Sequence, residues 1–474
     1  MQLIKNYLYN AFYQIFVIIV PLITMPYISR VLGPTGSGIN SLTNANTQYF
    51  ILFGSIGVAL YGNRQIAYLR DDKDKVSQTF WEIFIMRLFT IALALILFYL
   101  FVFLTHTYQL AYLMQSILII AAAFDISWFF MGVENFKVTV VRNVVVKLIS
   151  IIFIFTLVKN KNDIILYIFI LSMSQLLGNM SLFPYLKTYI VPPKWHQLNI
   201  WQHLRPSLTL FLPQIALQVY LILNKTMLGI MVSVEAAGFY TYSDNIIRML
   251  LAIVTSLATV MMPRVANVFA HGDLKKVNRY TQQAFDYSSA AAIPMMFGIA
   301  AVAWKFAPLF FGHGYESISP LIMIESLIIL PIAWSSIIGN QYLLPLGKNR
   351  QYTASVTLGA ILSVVFNVPL ILLLKTNGAM ISTVLCEWAV TIYQLVAIHK
   401  SMQLSDLFIG LWKYLLSGLI MFIVVFYLHM TWKFTILTAL IEVIIGIVIY
   451  GLGIFILKPP ILQVVRQLLQ KPAK

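Results

Sequence analysis

Long apolar runs follow one another along nearly the whole chain, and short polar segments separate them. Most runs reach about 20 residues, which is the length that a helix needs to cross a bilayer. The runs do not alternate apolar and polar residues as membrane-spanning strands do, so the pattern predicts helices. We predict about fourteen membrane-spanning helices by this length criterion. The predicted fold is therefore an all-α polytopic membrane protein.

The composition and charge agree with a membrane protein. Hydrophobic residues make up 60% of the 474 residues and charged residues only 10%, whereas soluble domains carry about 25% charged residues. If the N-terminus is cytoplasmic, most Lys and Arg lie in inner segments, as the positive-inside rule expects. The net charge of +16 then reflects topology and attraction to anionic lipid, and it predicts no nucleic-acid partner. We expect a multi-pass protein of a bacterial cell membrane with both termini cytoplasmic.

The sequence also repeats itself at an interval of about 200 residues. SRVLGPTGSG in the first half corresponds to NKTMLGIMVSVEAAG in the second, and GNRQIA corresponds to MPRVAN. The matched positions are Arg30 and Lys225, Gly38 and Gly238, Arg64 and Arg264, and Asp125 and Glu325. Six predicted spans separate the two copies, so both copies have the same orientation in the membrane. This predicts two six-helix lobes, related by a pseudo-two-fold axis along the membrane normal, around a central cavity.

The repeat divides the chain into four predicted parts. These are an N-terminal lobe at 1–187, a cytoplasmic linker at 188–203, a C-terminal lobe at 204–400, and two additional helices with a tail at 401–474. The tail sequence ILQVVRQLLQK is typical of a short amphipathic helix on the inner membrane surface.

Several carboxylates lie inside the predicted spans. A charge at mid-bilayer costs about 2.5–3.5 kcal/mol on insertion scales, so such a residue faces a cavity or a partner. Asp125, in the run AAAFDISWFF, and Glu325 and Glu387 are candidates for titration or cation binding during transport. The alternative for each is a structural contact with a neighbouring span. Asp244 and Arg248 are four residues apart on one helix face, so they form either a static ion pair or part of the transport site.

Cations at or inside the span ends form a second candidate set. Arginine forks and lysine ammonium groups suit phosphates, so a cavity that they line favours an anionic ligand. The alternative for each cation alone is a side chain that snorkels to the membrane surface. The candidates for binding a diphosphate or sugar are Arg30, Arg64, Arg142, Lys147, Lys225, Arg248 and Arg264.

Enzyme motifs are missing from the sequence. There is no GxxxxGK[ST] loop, no HExxH and no CxxC, and the seven His are scattered. We therefore expect no intrinsic ATPase, no metal site, no cofactor and no catalytic residues.

One long stretch resembles a known family. FDISWFFMGVENFKVTVVRNVVVKLISIIFIF is similar to the Wzx-type polysaccharide flippases, the O-antigen and capsule repeat-unit exporters of bacteria. These flippases commonly have an Asp, a Trp three residues later, and a Gly-x-Glu-x-Phe-Lys run. The matching residues are Asp125, Trp128, Gly132, Glu134, Phe136, Lys137, Arg142 and Lys147. SRVLGPTGSG resembles the family's first loop, although Thr35 stands where members often carry Glu.

The resemblance, which covers nearly the whole chain, implies a function. The family belongs to the multidrug/oligosaccharidyl-lipid/polysaccharide exporter superfamily, whose members use alternating access between two six-helix lobes. The implied substrate is a polyprenyl-diphosphate-linked oligosaccharide that moves from the inner to the outer leaflet. The implied partners are a proton or sodium ion, with Asp125 and Glu325 as coupling candidates, and polysaccharide polymerase or assembly proteins.

Two alternatives remain open on the sequence. A cation-coupled multidrug exporter of the same superfamily has the same fold, but cationic drugs prefer an anionic cavity. A membrane glycosyltransferase or polymerase requires a large external loop or a clustered acidic motif. The longest external segment here, around WKFAPLFFGHGYESIS, has only about fifteen residues, which makes this class the weaker alternative.

Overall fold

The computed structural model of the chain describes residues 2–193, 195–433 and 435–462, and it excludes some helical side chains from description, that of Arg264 among them. The described residues form α-helices and short 3-10 or π turns, with no β-strand. The predicted amphipathic tail lies outside the described residues from 463 onward. The helices are α1 (Gln2–Ser55), α2 (Val58–Leu69), α3 (Lys73–Thr105), α4 (Gln109–Ala123), α5 (Ser127–Gly132), α6 (Phe136–Leu157), α7 (Ile164–Met180), α8 (Phe183–Leu186), α9 (Leu204–Met231), α10 (Val234–Ala270), α11 (Leu274–Phe311), α12 (Ile318–Glu325), α13 (Ile329–Ser336), α14 (Asn349–Ile398), α15 (Leu404–Leu407), α16 (Leu411–Thr431) and α17 (Ile436–Leu457).

Ten stretches of helix in the described chain are long and apolar enough to cross a membrane. Two of them each contain two predicted spans. Gly33, with φ 69°, interrupts α1, and Lys375, with φ 52°, interrupts α14. With α9 and α10 added, each of the fourteen predicted spans has a helix. The prediction of an all-α polytopic membrane protein is thus confirmed.

The chain forms two compact units, Met1–Gly238 and Phe239–Lys474. We call them the N-terminal and C-terminal units. The boundary falls inside α10, and α9 packs against α1 in the N-terminal unit. The predicted lobe boundaries at 187 and 204 remain predictions.

An aromatic cluster forms the core of the N-terminal unit where α3 meets the short helix α5. Phe80 stacks on Trp128 with ring centroids 5.7 Å apart, and Phe129 contacts Phe80 edge-on at 5.2 Å. Gly62 of α2 lets its backbone approach the indole, because a Cβ at this position would lie 2.4 Å from Trp128 Cε3. This packing fixes α5 against α2 and α3, and hence fixes the segment that precedes it.

The C-terminal unit packs α11 against α12, α13 and α16. Phe285 stacks on Trp334 at 4.9 Å, and Trp334 Nε1 donates a hydrogen bond to Ser289 Oγ at 2.8 Å. Pro308 lies inside α11 and has no N–H for the carbonyl of Trp304. Ser319 Oγ donates to that carbonyl at 2.8 Å. The helix therefore continues without an unsatisfied backbone carbonyl in the membrane.

A polar residue caps the N-terminal end of α3, outside the apolar part of this helix. Asp72 precedes α3, and its Oδ1 accepts a hydrogen bond from the Lys75 N–H at 3.1 Å. This bond and the nearby Lys75 ammonium hold the pKa of Asp72 below its ordinary value. A carboxylate at this position satisfies an N-terminal donor of the helix and favours its dipole.

Candidate functional site

A small polar cavity lies inside the N-terminal unit, between the α4–α5 junction and the helices α6 and α7. Its volume is about 250 Å³. Three of the predicted site residues, Asp125, Arg142 and Lys147, line it together. The remaining polar lining comes from Ser127, Thr139, Asn143, Gln175 and Asn179. The cavity therefore combines one carboxylate, two cations and several neutral hydrogen-bonding groups within membrane-spanning helices.

Asp125 lies in a break between α4 and α5 rather than within a continuous helix. Its Oδ1 accepts hydrogen bonds from the backbone N–H and the Oγ of Ser127, at 3.0 and 2.6 Å. Its Oδ2 is 3.7 Å from Nη2 of Arg87, and Arg87 Nη1 donates to the Asp125 carbonyl at 2.9 Å. The side chain of Arg87 is only 4% exposed. Asp125 therefore neutralises a buried cation of α3 and caps α5, while it also faces the cavity.

Arg142 joins three helices across the cavity. Its Nη1 donates to Asn179 Oδ1 at 3.0 Å, and Gln175 Nε2 donates to the same oxygen at 3.3 Å. Asn179 Nδ2 in turn donates to the backbone carbonyl of Ala121 at 2.6 Å. This network ties α6 and α7 to the end of α4.

Lys147 lies one and a half turns beyond Arg142 on α6 and is half-buried. Within the described chain, no hydrogen bond or ion pair of its ammonium group is found. A half-buried ammonium in a polar cavity favours an anionic partner. Together with Arg142, it gives this end of the cavity a positive charge.

The C-terminal unit holds a second buried charged cluster. Arg248 Nε donates to Asp244 Oδ1 at 2.7 Å on α10, which confirms that the two residues share one helix face. Glu325, at the end of α12, is fully buried. Its Oε2 accepts from Ser243 Oγ at 2.5 Å, and Asp244 and Arg248 are its charged neighbours. Two neighbouring carboxylates in a dry site repel each other when both are ionised, and a proton on one of them removes this repulsion. The cluster is therefore a candidate for holding and releasing a proton.

The other predicted site residues lie outside these two clusters. Arg30 is exposed, and its Nη1 donates to the Pro26 carbonyl at 3.3 Å. Arg64 is exposed on α2, whereas Lys225 on α9 and Glu387 on α14 are half-buried. The side chain of Arg264 lies outside those that the structure describes. The proposed roles of these five residues remain predictions.

A third charged network, absent from the sequence analysis, anchors the linker. Glu82 of α3 is buried and accepts hydrogen bonds from the Asn199 N–H at 2.8 Å and from Gln202 Nε2 at 2.9 Å. His203 links two groups: its Nε2 is hydrogen-bonded to Glu82 at 2.8 Å, and its Nδ1 to the Tyr61 hydroxyl at 2.7 Å. The rule that singled out Asp125 applies equally to Glu82 and Arg87, because both are charges in apolar runs.

Repeat-related positions touch each other where α1 crosses the start of α10. Thr35 Oγ1 donates to Glu235 Oε1 at 2.8 Å, and these residues are 200 positions apart. A Cβ on Gly238 would lie 3.0 Å from the Cα of Gly38. Equivalent residues meet only where a two-fold axis passes between them. This crossing therefore supports the predicted repeat.

Comparison with protein families and relatives gives concordant matches. The family described as "Polysaccharide biosynthesis protein" matches residues 3–269. A protein of Escherichia coli (strain K12) described as a proposed O-antigen transporter is 24% identical over 413 residues. This alignment covers 85% of the present chain and 98% of that protein.

Two solved structures have a similar fold. The inward closed conformation of lipid II flippase MurJ superposes with a TM-score of 0.75 and 15% identity, covering 95% of this chain and 98% of that one. An inward-facing multidrug resistance MATE family transporter of the MOP superfamily gives 0.59 and 12% identity, covering 81% and 98%. The fold is thus that of the MurJ and MATE transporters, as the sequence predicted.

Proposed function

We propose that this chain, which belongs to the polysaccharide biosynthesis protein family, flips a lipid-linked oligosaccharide across a bacterial cell membrane. The substrate is a polyprenyl diphosphate that carries an oligosaccharide repeat unit, and it moves from the inner to the outer leaflet. The O-antigen transporter description of the Escherichia coli relative and the MurJ-like fold support this class of substrate.

The observation that carries the proposal is the polar cavity with Arg142 and Lys147 on its wall. Moving sugars through hydrocarbon leaves hydroxyl groups without partners, at several kcal/mol each. Amides such as those of Gln175 and Asn179 replace water for hydroxyl groups, and the cations bind phosphate oxygens. A cationic drug gains nothing from these two cations, which disfavours the multidrug-exporter alternative.

Proton coupling is the second part of the proposal. Asp244 and Glu325 are neighbouring buried carboxyl groups, and Arg248 donates a hydrogen bond to Asp244. A proton that enters this cluster neutralises one carboxylate, and its release restores a net negative charge in a dry site. Such a change alters the relative energies of two conformations, and a proton gradient can therefore drive the transport cycle. Since Arg248 already pairs with Asp244, a sodium ion would meet a positive charge there, and we therefore take a proton as the coupling ion.

The remaining assignments belong to the same proposal. Arg30, Arg64, Lys225 and Arg264 contact the diphosphate or sugars at other stages of the cycle, and Glu387 assists coupling. The two lobes alternate access to a central cavity, both termini are cytoplasmic, and polymerase or assembly proteins receive the flipped unit.

A leaflet-access assay in proteoliposomes tests the proposal. A polyprenyl-diphosphate oligosaccharide is placed in the inner leaflet, and an external sugar-modifying enzyme reports its appearance outside. We expect exposure that requires the protein. Efflux of a cationic dye from the same vesicles, without exposure of the oligosaccharide, would instead establish the drug-exporter function.

A further inference from the structure

A long apolar groove runs along the N-terminal unit between α6 and α7. Its volume is about 870 Å³, which is at the upper end of the range for small-molecule sites. The α6 wall presents one stripe of side chains at intervals of four residues, which places them on a single helix face. This stripe consists of Val141, Val145, Ile149, Phe153 and Leu157.

The facing wall is equally apolar. It comes from α7 and includes Leu166, Phe169, Met173 and Leu177. From Lys137 to Leu157 the groove follows α6 for about 30 Å, at 1.5 Å per residue. This length is close to the thickness of the hydrocarbon core of a bilayer. The groove can therefore accommodate an extended hydrocarbon chain over much of the membrane.

The polar lining of the groove is concentrated at one end. Lys137 and Arg142 of α6 lie there, together with Ser181, which follows α7, and Tyr185 of α8. In the predicted topology this is the cytoplasmic end, where a lipid of the inner leaflet has its headgroup. The lining thus matches a molecule with an anionic head and a long apolar chain.

The groove and the polar cavity meet at Arg142 and Val146, because both residues line both spaces. Arg142 therefore stands at the junction between an apolar channel for a chain and a polar chamber with Lys147 and neutral amides. An ordinary phospholipid has no large polar group beyond its phosphate to fill such a chamber. A lipid-linked oligosaccharide has one.

We propose that the α6–α7 groove binds the polyprenyl chain of the lipid-linked substrate, with its diphosphate at Arg142 and Lys147. This inference rests on the proposed function and assigns a place to the part of the substrate that stays in lipid. The phosphate oxygens accept hydrogen bonds from both cations, and the first sugars enter the polar cavity. The chain keeps its contact with the membrane because the groove is open along its length.

Photocrosslinking tests this site without requiring transport. The probe is a polyprenyl diphosphate with a diazirine on its chain, added to the full-length protein in nanodiscs without an ion gradient. We expect labelled peptides from α6 and α7. Excess unlabelled polyprenyl diphosphate should displace the label, whereas the same excess of phosphatidylglycerol should not.

Matched variants locate the chain. Ile149→Trp fills the groove, and Leu148→Trp adds the same bulk on the adjacent position, outside the groove lining. The two side chains are similarly exposed, at 44% and 46%, so both variants should fold. We expect Ile149→Trp to weaken labelling about tenfold, equivalent to about 1.4 kcal/mol, and Leu148→Trp to leave it unchanged. Lys147→Gln should weaken labelling, and Lys161→Gln in the α6–α7 loop should not.

Two results would overturn the inference: labels spread over all lipid-facing helices, or equal displacement by phosphatidylglycerol. Either one means that the groove holds annular lipid. The leaflet-access assay keeps the two proposals separate. Flipping without α6–α7 labelling refutes only the proposal that the groove binds the polyprenyl chain. Labelling without flipping refutes the proposed function and leaves the binding site supported.

Discussion

At the residue scale, each buried charge in the two clusters described above has a specific ionic or hydrogen-bonding partner. Asp125 neutralises Arg87 and also caps α5. Glu325 accepts a hydrogen bond from Ser243 and lies beside the carboxyl group of Asp244. Burying an isolated charge in the membrane is costly, whereas a paired one is tolerated. Asp125 thus has structural partners, whereas Glu325 lies in the cluster that we propose to hold the proton.

Glu325→Gln tests the proton-holding role. Glutamine can keep the hydrogen bond from Ser243, but it cannot bind and release a proton. We expect the protein to fold normally and the flipping rate to fall about tenfold or more, a rise of about 1.4 kcal/mol in the barrier. The measurement is the leaflet-access rate under a pH gradient.

The matched control is Glu316→Gln, which removes an exposed carboxylate of the same unit. Its rate should equal that of the unaltered protein. A Glu325→Gln protein that flips at the normal rate and still responds to the pH gradient would exclude Glu325 from coupling.

At the element scale, the break between α4 and α5 shows the limits of sequence reasoning. The apolar run predicts a continuous span through residue 125, and the residue pattern alone carries no signal for a break. The break forms because Asp125 caps α5 with its own side chain and because Phe80 and Trp128 fix α5 against its neighbours. The partner Arg87 is 38 residues away, so no local rule connects it to Asp125.

Substitutions at Asp125 should separate the stabilisation that comes from capping α5 from that of the pairing with Arg87. Asp125→Ala removes the cap and leaves Arg87 buried without its carboxylate, and breaking such a pair costs about 3–5 kcal/mol. Asp125→Asn keeps an oxygen for the Ser127 donors, so its melting temperature should fall less. Thermal unfolding in detergent measures both. Equal melting temperatures for the two variants would show that the cap contributes nothing.

The two C-terminal spans are held by a buried pair of their own. Lys305 N–H of α11 donates to His429 Nε2 at 3.0 Å, so Nδ1 carries the proton that it donates to Glu442 Oε2 at 3.0 Å. Both side chains of the pair are fully buried. No role could be predicted for these spans from their residues alone, and this contact attaches α16 and α17 to each other and to α11.

Glu442→Ala should therefore destabilise the protein by about 1–3 kcal/mol, since it leaves the buried Nδ1–H of His429 without an acceptor. Glu442→Gln keeps an oxygen that can accept from this N–H and should recover most of that loss. Thermal unfolding of the three proteins is the measurement. If the Glu442→Ala protein unfolds at the temperature of the unaltered protein, the pair is not what attaches these helices.

At the scale of the whole molecule, the repeat and the helical class could be predicted from the sequence because both depend on periodicity and length. Arg142 and Lys147 could also be predicted from the sequence as site residues, and the fold places both on the wall of one cavity. It could not show that this cavity continues into a groove, since the groove depends on how α6 and α7 pack. The contact between Thr35 and Glu235 likewise requires the fold.

The crossing of α1 and α10 makes a prediction about movement. In the proposed alternating-access cycle, this contact separates. In a Cys386→Ala background, Thr35→Cys/Glu235→Cys joined by a short, reducible bifunctional reagent should stop flipping, and reduction should restore it. Each single cysteine variant, treated with the same reagent, should flip normally. Unchanged flipping by the crosslinked protein would show that the crossing stays closed throughout transport.

We propose that a proton gradient drives a polyprenyl-diphosphate oligosaccharide to the outer leaflet. The most direct measurement is the rate at which the oligosaccharide becomes accessible outside proteoliposomes that hold the protein in its cellular orientation. An outside-acid gradient should accelerate exposure, whereas an inside-acid gradient or a sodium gradient should not. Exposure at one rate under all three gradients, or no exposure at all, would contradict the account.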